Sequence, residues 1–346
     1  MTPAAFSSPL GATFASLPGI LMSTPLLWAG FLLLIFLLLA IDLGVLHRGD
    51  RAPTTREALG WTVGWVVLSL LFTGVIAAVY GRGLMGGGKT GPGEASILYL
   101  TGYLIEKLLS LDNIFVMAAL MSAFRVPPSA QHRVLYWGIL GALVLRGVMI
   151  VAGTAILSRF TWLMVPLGLA LVFTGAKMLF HKEAEEEGSG VSTDNVLVRV
   201  VRRFFPVAPQ GDGSRFFVRQ AGRWAVTPVF LALIAIEASD VIFALDSVPA
   251  VLAVTLDPFI VFTSNVFAIL GLRSLYFVLG SMLDRFALLK PALAFILVFV
   301  GVKLGLNPLR IHVPPFLSLG LILLVLLGAV VLSLRAEKKQ EVPPGA

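Results

Sequence analysis

The sequence predicts an all-α fold: a polytopic transmembrane helical bundle of about nine helices, with two inverted-topology three-helix repeats. Three observations lead there. Hydrophobic residues make up 58% of the 346-residue chain and charged residues 13%, with a mean hydropathy of +0.93; soluble domains are nearer half apolar and a quarter charged. Apolar runs long enough to span a bilayer recur along the chain. Finally, 17 of the 26 Lys and Arg fall in alternate loops and 4 in the intervening ones, the asymmetry of cytoplasmic against external segments.

Residues 1–24 hold no Lys or Arg, so they lack the basic start of a signal peptide and read as a short external tail. Spans are expected at about 25–46, 61–81, 95–122, 134–157, 161–181, 225–249, 258–283, 290–306 and 314–334. The six Trp (28, 61, 65, 137, 162, 224) lie near predicted span ends, where amphipathic rings anchor at the interface. The loop 182–224 opens on the acidic run Glu183–Glu187 and continues with the basic, aromatic stretch Arg199–Phe205. It reads as a solvated face or as a contact for a cytoplasmic protein or anionic lipid.

Internal similarity sets the organisation. Ser110-Leu-Asp112-Asn-Ile aligns with Ala244-Leu-Asp246-Ser-Val, Gly138-Ile-Leu-Gly with Ala268-Ile-Leu-Gly, and Leu171-Val-Phe-Thr-Gly-Ala-Lys177 with Leu297-Val-Phe-Val-Gly-Val-Lys303, at offsets of 134, 130 and 126. Residues 1–94 then form the tail and two spans, 95–181 repeat one, 182–224 the cytoplasmic loop, 225–306 repeat two, and 307–346 a last span and cytoplasmic tail. Three spans per repeat invert the second copy, an arrangement by which secondary transporters build a midplane site. The N-terminus is expected outside and the C-terminus in the cytoplasm.

The third and sixth spans carry acids where acids are costly. One contains Glu106, Asp112 and Asn113; the other contains Glu237, Asp240, Asp246 and Ser247. These are the candidate ligands of a cation, with Glu106 and Asp240 expected near the membrane centre. Glu237 and Asp240 share a helix face. The six-residue spacings Glu106–Asp112 and Asp240–Asp246 leave side chains about 240° apart on an ideal helix. Convergence of all the acids therefore calls for an unwound helix, and Pro249 supplies a reason in the sixth span. Asp42 and Asn265 are further pathway candidates, and Lys107, Arg146 and Arg273 balance charge. All-oxygen ligation favours hard ions such as Mg²⁺, Ca²⁺ or Mn²⁺. The bland alternative is a structural network pairing Asp112 with Arg146 and Asp246 with Arg273.

Other chemistries find little support. Cysteine is absent and the four His (47, 132, 181, 312) sit at expected span ends, which excludes thiolate sites and an imidazole cage within the bilayer. Gly83-Leu-Met-Gly-Gly-Gly88-Lys89-Thr90 fits a phosphate-binding pattern, but that motif needs a strand before it and a helix after it in a soluble unit. No nucleotide or nucleic-acid partner is expected, nor an enzyme, nor a resident cofactor.

From Ala40-Ile-Asp-Leu-Gly-Val-Leu-His-Arg48, through Gly102-Tyr-Leu-Ile-Glu106-Lys-Leu-Leu-Ser-Leu-Asp112-Asn-Ile and Glu237-Ala-Ser-Asp240-Val-Ile-Phe-Ala-Leu-Asp246-Ser-Val-Pro, to Phe262-Thr-Ser-Asn265-Val-Phe-Ala-Ile-Leu-Gly-Leu-Arg273, the chain resembles the TerC family, named for tellurium resistance. The resemblance covers about 25–335. It implies a bacterial inner-membrane protein related to LysE-type exporters, with members linked to manganese efflux, and it maps the family's intramembrane acids onto Glu106, Asp112, Glu237, Asp240 and Asp246. The expected function is export of a divalent cation, Mn²⁺ first, by alternating access with proton coupling. The alternative is a non-transporting scaffold of an envelope-stress or tellurium-resistance complex.

Overall fold

The computed structural model describes residues 25–41, 54–85, 90–180, 196–208, 215–220, 223–279, 288–309, 311 and 313–340. Asp42, His47, His181, His312, the tail 1–24, the acidic run 183–187 and residues 86–89 of the Gly-rich loop lie outside them, as does the side chain of Asp112. Two units are present, Met1–Gly49 with Phe72–Ser96, and Asp50–Leu71 with Ile97–Ala346.

The first unit holds α1 (Pro25–Ile41), the later turns of α2 (Thr55–Gly81) and the start of α3 (Pro92–Ala123). The Phe31 ring lies tilted against Phe72 at 5.5 Å. Gly81 abuts Pro92, and Gly83 turns the chain at φ +64°, a conformation that costs glycine nothing.

The second unit contains the rest. Its helices are α4 (Pro128–Arg159), α5 (Met164–Phe180), α6 (Val196–Phe204), α7 (Pro228–Leu252), α8 (Pro258–Leu270), α9 (Leu272–Leu279), α10 (Leu289–Leu306) and α11 (Pro315–Gln340). Proline opens four of them at the first position, where its missing N–H is no loss and its φ is already helical. Thr227 caps α7 by accepting from the Phe230 N–H, and Asp257 caps α8 through the N–H groups of Phe259 and Ile260.

Seven described helical stretches are long and apolar enough to cross a membrane: Thr55–Gly81, Pro128–Arg159, Thr161–Phe180, Pro228–Leu252, Pro258–Val278, Pro291–Leu309 and Pro315–Ser333. Each falls on an expected span. Of the other two expected spans, α1 is apolar but shorter, while α3 runs for 32 residues and carries Glu94, Glu106, Lys107 and Asp112.

Four expectations change. The 182–224 segment is more than a loop: it contains α6 and a hairpin of β1 (Phe217–Gln220) and β2 (Arg223–Val226), paired antiparallel. The sixth span starts at Pro228 because Ala225 and Val226 are committed to β2. Helix α7 continues through Pro249 to Leu252, so proline near the last turn does not unwind it. The break falls in the seventh span instead, at Gly271 between α8 and α9. Trp65 is not an interface anchor, because α2 begins at Thr55 and Trp65 is buried; its Cβ would lie 3.3 Å from a Cβ placed on Gly271.

Helices α5 and α10 touch backbone to backbone. A Cβ on Gly168 would stand 2.5 Å from the Gly301 carbonyl oxygen, and one on Gly175 would stand 2.6 Å from that of Ala294. Small residues are what allow such approach between membrane helices. The offset of 126 maps Gly168 to Ala294 and Gly175 to Gly301, so the two contacts exchange partners under it.

Candidate functional site

Arg146 of α4 is the centre of the buried polar groups. It is 2% exposed, on a helix whose neighbouring buried residues are apolar. Its guanidinium meets acids from two other helices. Nη1 is ion-paired with Glu106 Oε1 of α3, which is fully buried. On α7, Nη2 donates to Asp240 Oδ1 at 3.0 Å and Nε to Oδ2 at 3.4 Å, the two-pronged geometry that a planar guanidinium offers a carboxylate.

Amides and a hydroxyl complete the shell. Nη1 also donates to Ser247 Oγ at 3.3 Å and to Asn265 Oδ1 of α8 at 3.4 Å. Asn265 Nδ2 donates to Glu106 Oε2 at 2.9 Å, and Asn113 Nδ2 to Asp240 Oδ1 at 3.3 Å. Asn113 is buried, and its Oδ1 has no hydrogen-bond partner among the described residues. Two carboxylates and one guanidinium leave this cluster with a formal charge of −1.

The helical period explains the assembly. Glu106 and Asn113 are seven residues apart on α3, as are Asp240 and Ser247 on α7, and seven steps of 100° return to nearly the same face. The offset of 134 maps the first pair onto the second. Intact helices therefore bring Glu106, Asp240 and Ser247 to Arg146 and Asn113 to Asp240, and no unwinding is needed. The six-residue partner Asp246 is half-buried on α7 and takes no part in this network; its neighbours Leu245 and Ile242 are exposed. The pairing of Arg146 is with Glu106 and Asp240. Arg273 is buried on α9.

Two charged side chains sit on glycines of the other half. The Glu237 carboxylate lies against Gly141 of α4, where a Cβ would collide with it. Lys107 Nζ would be 2.7 Å from a Cβ on Gly271, and it donates to the Ala268 carbonyl at 3.3 Å. Gly141 and Gly271 correspond under the offset of 130, so equivalent seats receive opposite charges. These glycines were missed as site residues, although the matching Ile-Leu-Gly stretches contain them. Among the described residues, no three Asp, Glu or His side chains converge on one point.

Membrane-crossing helices around a buried carboxylate–guanidinium cluster define a polytopic integral membrane protein. The profile of the integral membrane protein TerC family matches residues 92–341, and the chain belongs to that family. It is 46% identical over 313 residues to "Uncharacterized membrane protein STKORF319" of Myxococcus xanthus, covering 90% of this chain and 93% of the relative. It is 45% identical over 313 residues to "Putative membrane-bound redox modulator Alx" of Escherichia coli K12, covering 90% and 95%. A Rickettsia bellii membrane protein is 38% identical over 304 residues, covering 87% and 95%. No solved structure matches the chain.

Proposed function

We propose that the chain is a secondary transporter that exports a divalent metal cation, with Mn²⁺ as the first candidate substrate, by alternating access and with protons as the coupling ion. One observation carries this reading: Asn113 Oδ1, which has no partner among the described residues, lies in the same buried cluster as the carboxylates of Glu106 and Asp240. Leaving a buried acceptor unmatched costs about 1–3 kcal/mol, and a hard cation seeks oxygen donors of this kind. In the arrangement seen, Arg146 is the cation that both acids hold. A divalent ion competes with the guanidinium for them, and return of Arg146 expels the ion. Carboxylates that release a metal can take up protons, which is the basis for the proposed antiport. The exchange of α5–α10 contacts under the repeat offset supports two halves that move about a common axis.

The test is metal flux in proteoliposomes of purified protein, comparing Mn²⁺, Mg²⁺, Ca²⁺ and Zn²⁺ with and without a pH gradient. Expected are gradient-driven Mn²⁺ flux and its loss in Asp240→Asn and Glu106→Gln. Asp112→Asn and Asp246→Asn test whether those acids line the pathway.

A second reading, the non-transporting scaffold, is favoured by the way Arg146 is matched to both acids and by the lack of a three-acid cluster among the described residues. Folded protein that moves no ion would select it. Deleting most of 182–224 separates the two as well, since a scaffold loses its partners and phenotype while an exporter keeps its flux. The Escherichia coli relative's name gives it a redox role. This chain has no cysteine, so we read any such effect here as a consequence of metal balance.

A further inference from the structure

The segment before α7 presents a surface that ion transport does not use. Helix α6 turns Val198 inward, fully buried in a cluster with Phe124, Val126, Val134 and Val229. These residues lie where α3 ends and where α4 and α7 begin, so α6 is held at one end of the membrane helices. The hairpin is tied to the same place. Val226 N–H donates to the Pro206 carbonyl, Ala208 N–H to that of Val226, and Thr227 Oγ1 to that of Arg215 at 2.7 Å.

The outer side of this assembly is aromatic and basic. Phe204 is 73% exposed and Trp224 64%. Val200 lies one turn before Phe204, and Arg199, Arg202 and Arg203 are exposed around them. Among the described residues from Val196 to Val226 there are six Arg and no Asp, Glu or Lys. Trp224 stands four residues before the first residue of α7. Exposed rings bordered by arginine, at the level where spans leave the bilayer, have the character of an interfacial element.

We propose that α6 and the β1–β2 hairpin bind the anionic phospholipid headgroups of the leaflet at that end of the spans. The arginines supply charge complementary to the headgroups, and Phe204 and Trp224 enter the headgroup layer beside them. This binding is independent of what the chain transports.

The natural lack of cysteine makes the test direct. A Phe204→Cys chain is labelled with an environment-sensitive NBD dye and placed in nanodiscs of phosphatidylcholine, with or without phosphatidylglycerol. The expected result is a blue shift of the emission in the discs with phosphatidylglycerol. That shift is lost when Arg202→Gln and Arg203→Gln are added, and reduced at 1 M salt, where the screening length falls to about 3 Å. Trp224→Cys is an independent label site should the first variant misfold. The same water-exposed emission in both lipids overturns the proposal and leaves the surface to a protein partner. A blue shift equal in both lipids and indifferent to the arginines also overturns it.

Discussion

Arg146 illustrates what a single buried charge does in this molecule. Its guanidinium joins α4 to α3 through Glu106, to α7 through Asp240 and to α8 through Asn265. Removing it takes from two carboxylates the counter-charge that the described ion pairs give them, and breaking a buried pair from one side costs about 3–5 kcal/mol. Arg146→Met should therefore lower unfolding stability by about that amount, read by thermal or denaturant unfolding of the purified protein in detergent. Adding Glu106→Gln and Asp240→Asn removes the stranded charge and should restore most of the loss, because a buried ion network replaced as a whole by neutral groups is often nearly neutral. A triple variant as unstable as Arg146→Met would show that the acids are held by groups other than Arg146. The two variants also divide the functional readings. A scaffold rebuilt in the triple variant keeps its role, whereas an exporter without its acids does not regain flux.

The helices show why some of this was legible in the sequence and some was not. Span positions follow from apolar length, and each of the seven described crossing helices coincides with an expected run. Glu106 and Asp240 were legible as a pair because both are acids in apolar spans at equivalent repeat positions, and the structure brings both to one guanidinium. Asp246 stands apart from the Arg146 network, and the side chain of Asp112 lies outside the described residues. Acids six apart cannot share a face of an intact helix, whereas the uncharged partners seven apart, Asn113 and Ser247, can. The pairing of Arg146 with both central acids was not legible, since it depends on how α4 lies between α3 and α7. Close contact between α5 and α10 also needed coordinates, though its glycines were in view. It yields an element-scale prediction. Gly168→Ala and Gly175→Ala insert a methyl group against a backbone carbonyl at 2.5 and 2.6 Å, and overpacking of that kind costs about 1–3 kcal/mol. Gly305→Ala meets nothing within 4 Å and should be neutral or slightly stabilising, alanine being the better helix former. Equal melting temperatures for Gly168→Ala and Gly305→Ala would show that the two helices part readily.

At the scale of the whole molecule, the charge asymmetry makes a claim that helix positions alone do not. Helices of this length fit the bilayer either way up; the concentration of Lys and Arg in alternate loops, 17 against 4, is the ground on which we propose that the N-terminus lies outside. That orientation would put the 182–224 segment, with seven Lys and Arg, on the cytoplasmic side, where the leaflet carries negative surface potential. Because the chain has no cysteine, a single introduced thiol reports its own side. Ser8→Cys in the N-terminal tail should react with a membrane-impermeant maleimide in cells whose inner membrane is intact. Ser189→Cys in the long loop should react only after that membrane is permeabilised. The reverse pattern would place the arginine-rich surface outside and remove the electrostatic reason for its contact with the cytoplasmic leaflet. Export itself would still be open to such a protein, because in the proton antiport proposed above the gradient, and not the way up of the helices, sets the direction of net flux.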